Sequence, residues 1–335
     1  MVSNKSFSTA KKNKKDEFYT QLSDIENELK HYKDHFRNKV VLCNCDDPRV
    51  SNFFRYFALN FEFLGLKKLI TTCYKNQDID LFSENKAEHA VYTIYEGDKN
   101  RNFIPDEDEI TIKPLKGDGD FRSAECIDLL KQADIVVTNP PFSLFREFVS
   151  QLIKYNKEFI ILGNMNAVTT KEIFPLIKAN QMWYGVSIHS GDREFMVPDD
   201  YELNASGCRV DADGKKYIRV KGVRWFTNID HAQRHEELIL YKTYKGHEDE
   251  YPKYDNYDAI NVNKTSEIPI DYHSYMGVPI TFLDKYNPTQ FDIVGLTASW
   301  CETEEMQEIK TSDRYRHNPM INGKGIYRRI IIKRK

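Results

Sequence analysis

The sequence predicts an α/β fold with an open, mainly parallel sheet, followed by a region of different character after about residue 230. Three observations predict it. Short strand-like runs occur at Val40 to Cys43, Lys68 to Thr72, Ile135 to Thr138 and Phe159 to Leu162. Segments with helical spacing lie between or after them: Phe53, Phe54, Phe57, Ala58, Phe61 and Leu64, then Phe145, Phe148, Val149, Leu152 and Ile153. Finally, the run at Ile135 ends abruptly in Asn139-Pro140-Pro141-Phe142, at the carboxyl end of a strand, where open α/β sheets bind ligands.

Taken in order, residues 1–15 are rich in Ser, Lys and Asn and are expected to form a mobile basic tail. Lys11, Lys12, Lys14 and Lys15 in it are candidates for phosphate contact. Ser23-x-x-Glu26 reads as a capping box that opens a helix with Ile25, Leu29, Tyr32 and Phe36 on one stripe. The first strand runs into Asn44-Cys45-Asp46-Asp47-Pro48. Carboxylates at such a strand-to-helix turn can bind a cationic amino group or ribose hydroxyls. The turn contains no glycine, so the backbone cannot approach a pyrophosphate closely. The following helix should stop at Gly65.

The second strand ends in Thr72-Cys73-Tyr74, without the acidic residue that often holds a ribose. Residues 75–114 are polar and uneven and are expected to form an inserted hairpin or excursion. Gly117-Asp118-Gly119-Asp120-Phe121 then returns to the sheet as a turn. Beyond the Phe145 helix, Met182 to Ile188 and Val223 to Ile229 read as strands. Asp213-Gly214 marks a hairpin between Cys208–Val210 and Tyr217–Val220. Residues 16–230 are therefore expected to form one domain.

After that point Tyr241, Tyr244, Tyr251, Tyr254 and Tyr257 interleave with lysines and asparagines. Such a mixture suits phosphate and base-edge contacts, with Tyr254 and Asn256 as candidates. The plainer alternative is a loop-rich rim with its tyrosines lying on the core. Gly277 to Leu283, Phe291 to Leu296 and Tyr327 to Ile332 read as strands. Arg328 to Lys335 is a second basic cluster or a soluble tail.

Composition narrows the classes. A chain of 335 residues can bury a sizeable core as one large or two modest domains. No stretch approaches the roughly 20 apolar residues of a membrane span, so no membrane partner is expected. Six scattered cysteines form no disulfide framework and suggest a reducing cytoplasm. Cys43-x-Cys45 lacks a second pair with ligand spacing, so no metal is expected. The net charge of −3 means that any nucleic-acid contact must rest on local charge.

The Asn139 ledge carries the chemistry. Asn139 and Pro140 each precede a proline and are held extended, and the tight corner can leave the Pro140 carbonyl free for a ligand. Phe142 adds an aromatic face. An exocyclic aromatic amine is a poor nucleophile because its lone pair is delocalised. Two acceptors can hold its two N–H groups and favour a tetrahedral nitrogen as a bond forms, while Phe142 stacks on the ring. No covalent nucleophile is needed if the incoming group is an activated methyl.

Asn139-Pro140-Pro141-Phe142 after an Asp-led apolar strand resembles the catalytic motif of adenine-N6 DNA methyltransferases. The resemblance extends to Asp16–Gln21, Cys43–Phe54, Gly117–Arg122, Tyr251–Asn261 and Met276–Leu283, which are similar, in order, to the EcoRI-type modification methyltransferases. It implies a Rossmann-like, S-adenosylmethionine-dependent catalytic domain with a C-terminal target-recognition region. It implies further that Phe18, Tyr19 and Thr20 lie over the methionine end of the cofactor. Cys43, Asn44, Asp46 and Asp47 would line its site, and Asp118 or Asp120 would accept its adenine amine, with Phe121 on the ring. The expected substrate is duplex DNA at GAATTC, with the target base flipped out and a partner endonuclease held off. The enzyme is expected to act as a monomer. The rival readings are an RNA or protein-glutamine methyltransferase, since similar ledges serve those acceptors, and a non-catalytic DNA-binding module.

Overall fold

A computed structural model describes residues 19–44, 51–73, 90–100, 102, 105–189, 192–197, 203, 208–301, 303–312 and 318–335. The chain divides into two compact units. The first comprises Met1–Asn164 and Gly185–Ile229, and the second Met165–Tyr184 and Asp230–Lys335. The second unit thus takes a segment from inside the range expected to be one catalytic domain.

In the first unit, strands β1 (Val40–Asn44), β2 (Lys68–Thr72), β3 (Val91–Tyr95), β4 (Ile110–Pro114), β5 (Ile135–Thr138) and β6 (Glu158–Asn164) lie in the order β4-β3-β2-β1-β5-β6. Strand Val223–Thr227 follows β6. The centre, β2-β1-β5-β6, is parallel. β3, β4 and Val223–Thr227 add antiparallel flanks. Every residue of β1 and β5 is buried, which is why these runs are continuously apolar and not alternating. Val41, Cys43, Ile135 and Val137 share a core with Phe53, Phe57 and Trp225. The polar excursion becomes the β3–β4 hairpin at the sheet edge, while residues 74–89 lie outside the described set.

Local details depart from the sequence reading for physical reasons. The first described helix spans Leu22–Leu29 with Gln21 at its N-cap and no side-chain cap, so the Ser23 capping box is not used. Its apolar stripe continues past the helix end, and Ile25, Leu29, Tyr32 and Phe36 are all fully buried. Glu28 is buried among them. It accepts from the Tyr32 hydroxyl at 2.8 Å, the Val186 N–H at 2.8 Å and the Ser187 N–H at 2.7 Å. The strand expected over Met182 to Ile188 is correspondingly only Trp183–Tyr184. The next amides spend their donors on a carboxylate, and a Cβ at Gly185 would stand 2.1 Å from Glu28 Oε1. The Phe53 to Leu64 helix is split at Asn60 into Asn52–Leu59 and Phe61–Leu64, and Gly65, at φ 62°, closes it. The Asp213-Gly214 hairpin pairs Arg209–Val210 with Lys216–Lys221.

The second unit carries a sheet in the order Ile260–Asn261, Met276–Val278, Ile330–Arg334, Phe291–Leu296. The strand expected to run to Leu283 stops at Val278, because Pro279 has no N–H to donate, and a 3₁₀ helix, Ile280–Lys285, follows. The basic cluster from Arg328 is not a tail: Ile330, Ile331 and Ile332 are fully buried within this sheet. Among the described residues no helix is long and apolar enough to cross a membrane.

Candidate active site

The ledge is pinned at both ends of its strand. Asp134, just before β5, accepts the Val40 N–H at 2.8 Å, which aligns the start of β1 with the start of β5. Val41 then pairs with Ile135 and Leu42 with Val136. At the far end the Thr138 hydroxyl donates to the Asn44 carbonyl. The chain leaves the sheet at once. Asn139 is only 7% exposed, Pro140 is buried, and Pro141 and Phe142 are half-buried. The Pro141 carbonyl accepts from Leu144 N at 2.9 Å, turning the chain into helix Phe145–Lys154. No donor among the described residues reaches the Pro140 carbonyl. Phe142 packs against the core that contains Cys43 and Phe53.

The carboxyl end of β1 supplies the next groups. Cys43 is fully buried and Asn44 nearly so. Asn44 Oδ1 and Thr20 Oγ1 are buried without a hydrogen-bond partner among the described residues. Leaving a buried polar group without a partner costs about 1–3 kcal/mol, so both atoms have capacity for a ligand. Thr20 is held there from two sides. Asn52 Nδ2 donates to its carbonyl at 2.7 Å, and Tyr19 N donates to Met196 O at 3.0 Å. Asn52 opens helix Asn52–Leu59, which Ser51 caps through Phe54 N at 3.2 Å.

The loop Gly117–Phe121 presses on the end of β2. Gly119 has φ 80°, and a Cβ there would lie 2.2 Å from the Cys73 carbonyl oxygen. Asp118 Oδ1 accepts from Asp120 N at 3.1 Å. Asp120 is engaged by Arg122 through Nε at 2.9 Å and Nη2 at 2.6 Å, and this pairing holds the Arg122 guanidinium well above its ordinary pKa. Phe121 is buried edge-on to Phe148, 5.1 Å between centroids, and its carbonyl accepts from Gln151 Nε2 at 3.0 Å. Both partners belong to the helix that follows the ledge. Burial pushes the nearby Cys126 thiol up in pKa.

These contacts bring Tyr19, Thr20, Asn44 and the Asn139 ledge to the carboxyl ends of β1 and β5, with Asp118 to Phe121 at the end of β2. Phe18, Asp46, Asp47 and the lysines at 11, 12, 14 and 15 lie outside the described residues. Three participants were missed by sequence reasoning. Asn52 and Arg122 lie inside blocks quoted for the resemblance, but their roles depend on turn geometry. Thr138 reads only as a strand residue until its hydroxyl is placed.

In the second unit the two candidate DNA contacts face inward. Tyr254 and Asn256 are 5% and 1% exposed. The Tyr254 hydroxyl donates to Asn261 Oδ1 at 2.9 Å, and burial raises its pKa. Asn256 donates to Asn318 O at 3.0 Å and accepts from Met320 N at 3.0 Å. The correction has a simple cause. Tyrosines interleaved with amides suit a wet surface, but here each polar tip finds a partner inside the fold. Both residues support the surface without forming it.

Residues 6–335 match the family described as "Adenine-specific methyltransferase EcoRI". The chain is 51% identical to the type II methyltransferase M.EcoRI of Escherichia coli over 334 residues, covering 100% of this chain and 98% of that protein. It is 41% identical to the type II methyltransferase M.MgeORF184P of Mycoplasma genitalium, and 40% identical to M.MpnI of Mycoplasma pneumoniae. Each of these two alignments covers 98% of both chains. No solved structure matches the chain.

Proposed function

Because the chain belongs to the EcoRI family of adenine-specific DNA methyltransferases, we propose that it moves a methyl group from S-adenosylmethionine to adenine N6 within a short duplex site. The observation that carries this reading is the ledge itself: a buried Asn139 beside a Pro140 carbonyl that no described donor reaches, at the end of a parallel strand.

The residues present fit the donor. Asn44 Oδ1 and Thr20 Oγ1, buried and without a partner among the described residues, offer an acceptor to a methionine ammonium and a hydroxyl to its carboxylate. Asp118 and Asp120 stand at the end of β2 as candidate acceptors for an adenine amine, and Arg122 engages Asp120. Bound S-adenosylmethionine supplies a methyl activated on a sulfonium. The chain's own residues do the rest. Asn139 Oδ1 and the Pro140 carbonyl accept the two N–H groups of the target N6 and turn its lone pair toward the methyl. As the C–N bond forms and the methyl–sulfur bond breaks, which would leave a neutral thioether, nitrogen gains positive charge, and the two acceptors stabilise that charge until a proton leaves to water. Phe142 stacks on the target ring, which must be flipped from the duplex to reach the ledge.

By family resemblance the site is GAATTC and methylation shields it from a partner endonuclease. Sequencing modified adenines in DNA from cells that express the chain tests both the methyl transfer and its site. The expected result is N6-methyladenine confined to one short sequence. DNA without methylated adenine overturns the proposal, and methylation at another sequence overturns the assigned site.

A further inference from the structure

Within the second unit, Tyr327, Arg328 and Arg329 line a cleft of about 1000 Å³ with Asn166, Thr169 and Asn318. Among the described residues no carboxylate lines it. Arg328 and Arg329 form no ion pair among the described residues. Their guanidinium groups are instead held by neutral oxygens. Arg328 Nη1 donates to Thr169 O at 3.2 Å, and Arg329 Nε to Asn261 Oδ1 at 3.3 Å. Two cations aimed by neutral acceptors keep their full charge for an outside anion. Tyr327 beside them is 88% exposed, which is unusual for a large aromatic side chain.

The wall of the cleft is built, not loose. Strands Met320–Ile321 and Lys324–Gly325 form a hairpin through Asn322 and Gly323, both at positive φ. Asp255 accepts from Asn322 N at 3.2 Å and Gly323 N at 2.7 Å. Asn256 fixes Asn318 and Met320 on the same wall. Ile326 N donates to Pro319 O at 2.9 Å, so the chain passes from the hairpin to Tyr327 on a fixed path.

We propose that this cleft grips the phosphodiester backbone of duplex DNA, with Arg328 neutralising a phosphate and Tyr327 lying against the adjoining sugar and base. The inference rests on the proposed function, since it assumes a duplex substrate. It adds residues that the aromatic and amide stretch around Tyr254 had concealed: that stretch builds the cleft, and the last connection before strand Ile330–Arg334 touches the DNA.

The test is the salt dependence of equilibrium binding to two synthetic duplexes, one with GAATTC and one without. For Arg328→Gln the slope of log K against log salt should shrink by about 0.9 on both duplexes, as expected for one lost phosphate contact on B-DNA. Arg328→Lys should keep the parent slope. Tyr327→Ala should weaken binding at every salt concentration with the slope unchanged. Thermal unfolding of each variant shows whether it is folded. An Arg328→Gln chain with the parent's slope overturns the proposal. So does a loss confined to the GAATTC duplex, which would make Arg328 a base reader. If Arg328→Gln does not fold, a Tyr327→Ala chain that binds as tightly as the parent also overturns it. A parent chain that binds neither duplex refutes the proposed function as well, whereas parental methylation by folded Arg328→Gln with unaltered binding refutes this inference alone.

Discussion

The Thr138 hydroxyl donates to the Asn44 carbonyl, tying the last residue of β5 to the last residue of β1. Asn139 follows the first, and Asn44, whose Oδ1 has no hydrogen-bond partner among the described residues, is the second, so this bond and the β1–β5 pairing set the spacing between the proposed amine and cofactor sites. Thr138→Val keeps the shape and removes the donor. The expected loss is about 0.5–1.5 kcal/mol of stability, the usual net worth of such a bond. Cofactor affinity should fall as well. Urea unfolding and calorimetry with S-adenosylmethionine measure the two effects, and parental values in both would show that the bond sets nothing.

Glu28 is a structural carboxylate, and its removal should be costly. Glu28→Leu leaves the Tyr32 hydroxyl and the Val186 and Ser187 amides without their acceptor. At roughly 1–3 kcal/mol for each buried unsatisfied group, the variant should lose at least about 3 kcal/mol. Glu28→Gln retains one acceptor oxygen and should lose less. Denaturant midpoints of the two variants check the order.

Gly119→Ala should damage the cofactor site more than the fold. The residue has φ 80°, and its Cβ would meet the Cys73 carbonyl oxygen at 2.2 Å. The loop must therefore lift from the end of β2, carrying Asp118 with it. Calorimetry should show weakened S-adenosylmethionine binding, with far-ultraviolet circular dichroism close to that of the parent. Unaltered affinity would separate this loop from the cofactor.

The parallel centre of the sheet was legible because its signal is local. Ile135–Thr138 is a buried run bounded by Asp134 and two prolines, and both the strand and the ledge follow from neighbours in sequence. Strand Phe291–Leu296 was legible for the same reason. What could not be read depends on partners far along the chain. The strand expected after Met182 is cut short by Glu28, about 160 residues away in sequence. Tyr254 and Asn256 have the composition of a surface, and only the positions of Asn261, Asn318 and Met320 put them inside. By contrast, the strand expected over Tyr327 to Ile332 was legible in its three consecutive isoleucines, which are buried, although the charge of Arg328 to Lys335 also suits a tail.

Asn139 and Phe142 should fail at different stages of the reaction. Asn139 is proposed to hold bonds that strengthen as the amine becomes tetrahedral, so its removal should appear in the chemical step. Asn139→Ala should bind S-adenosylmethionine and duplex normally and lose methyl transfer, by about 2.7–4 kcal/mol if the effect matches that of other preorganised polar groups. Phe142 is proposed to stack on the flipped base, an interaction worth about 1–3 kcal/mol. Phe142→Ala should therefore weaken base flipping, and Phe142→Trp, which keeps an aromatic face, should be milder. Because Phe142 also packs against the core, unfolding midpoints must accompany its kinetics. Single-turnover methylation, cofactor calorimetry and fluorescence of 2-aminopurine at the target position separate the stages. Equal loss of cofactor binding in Asn139→Ala and Phe142→Ala would mean that the ledge had collapsed, making the turn structural and the assignment of the acceptor site wrong.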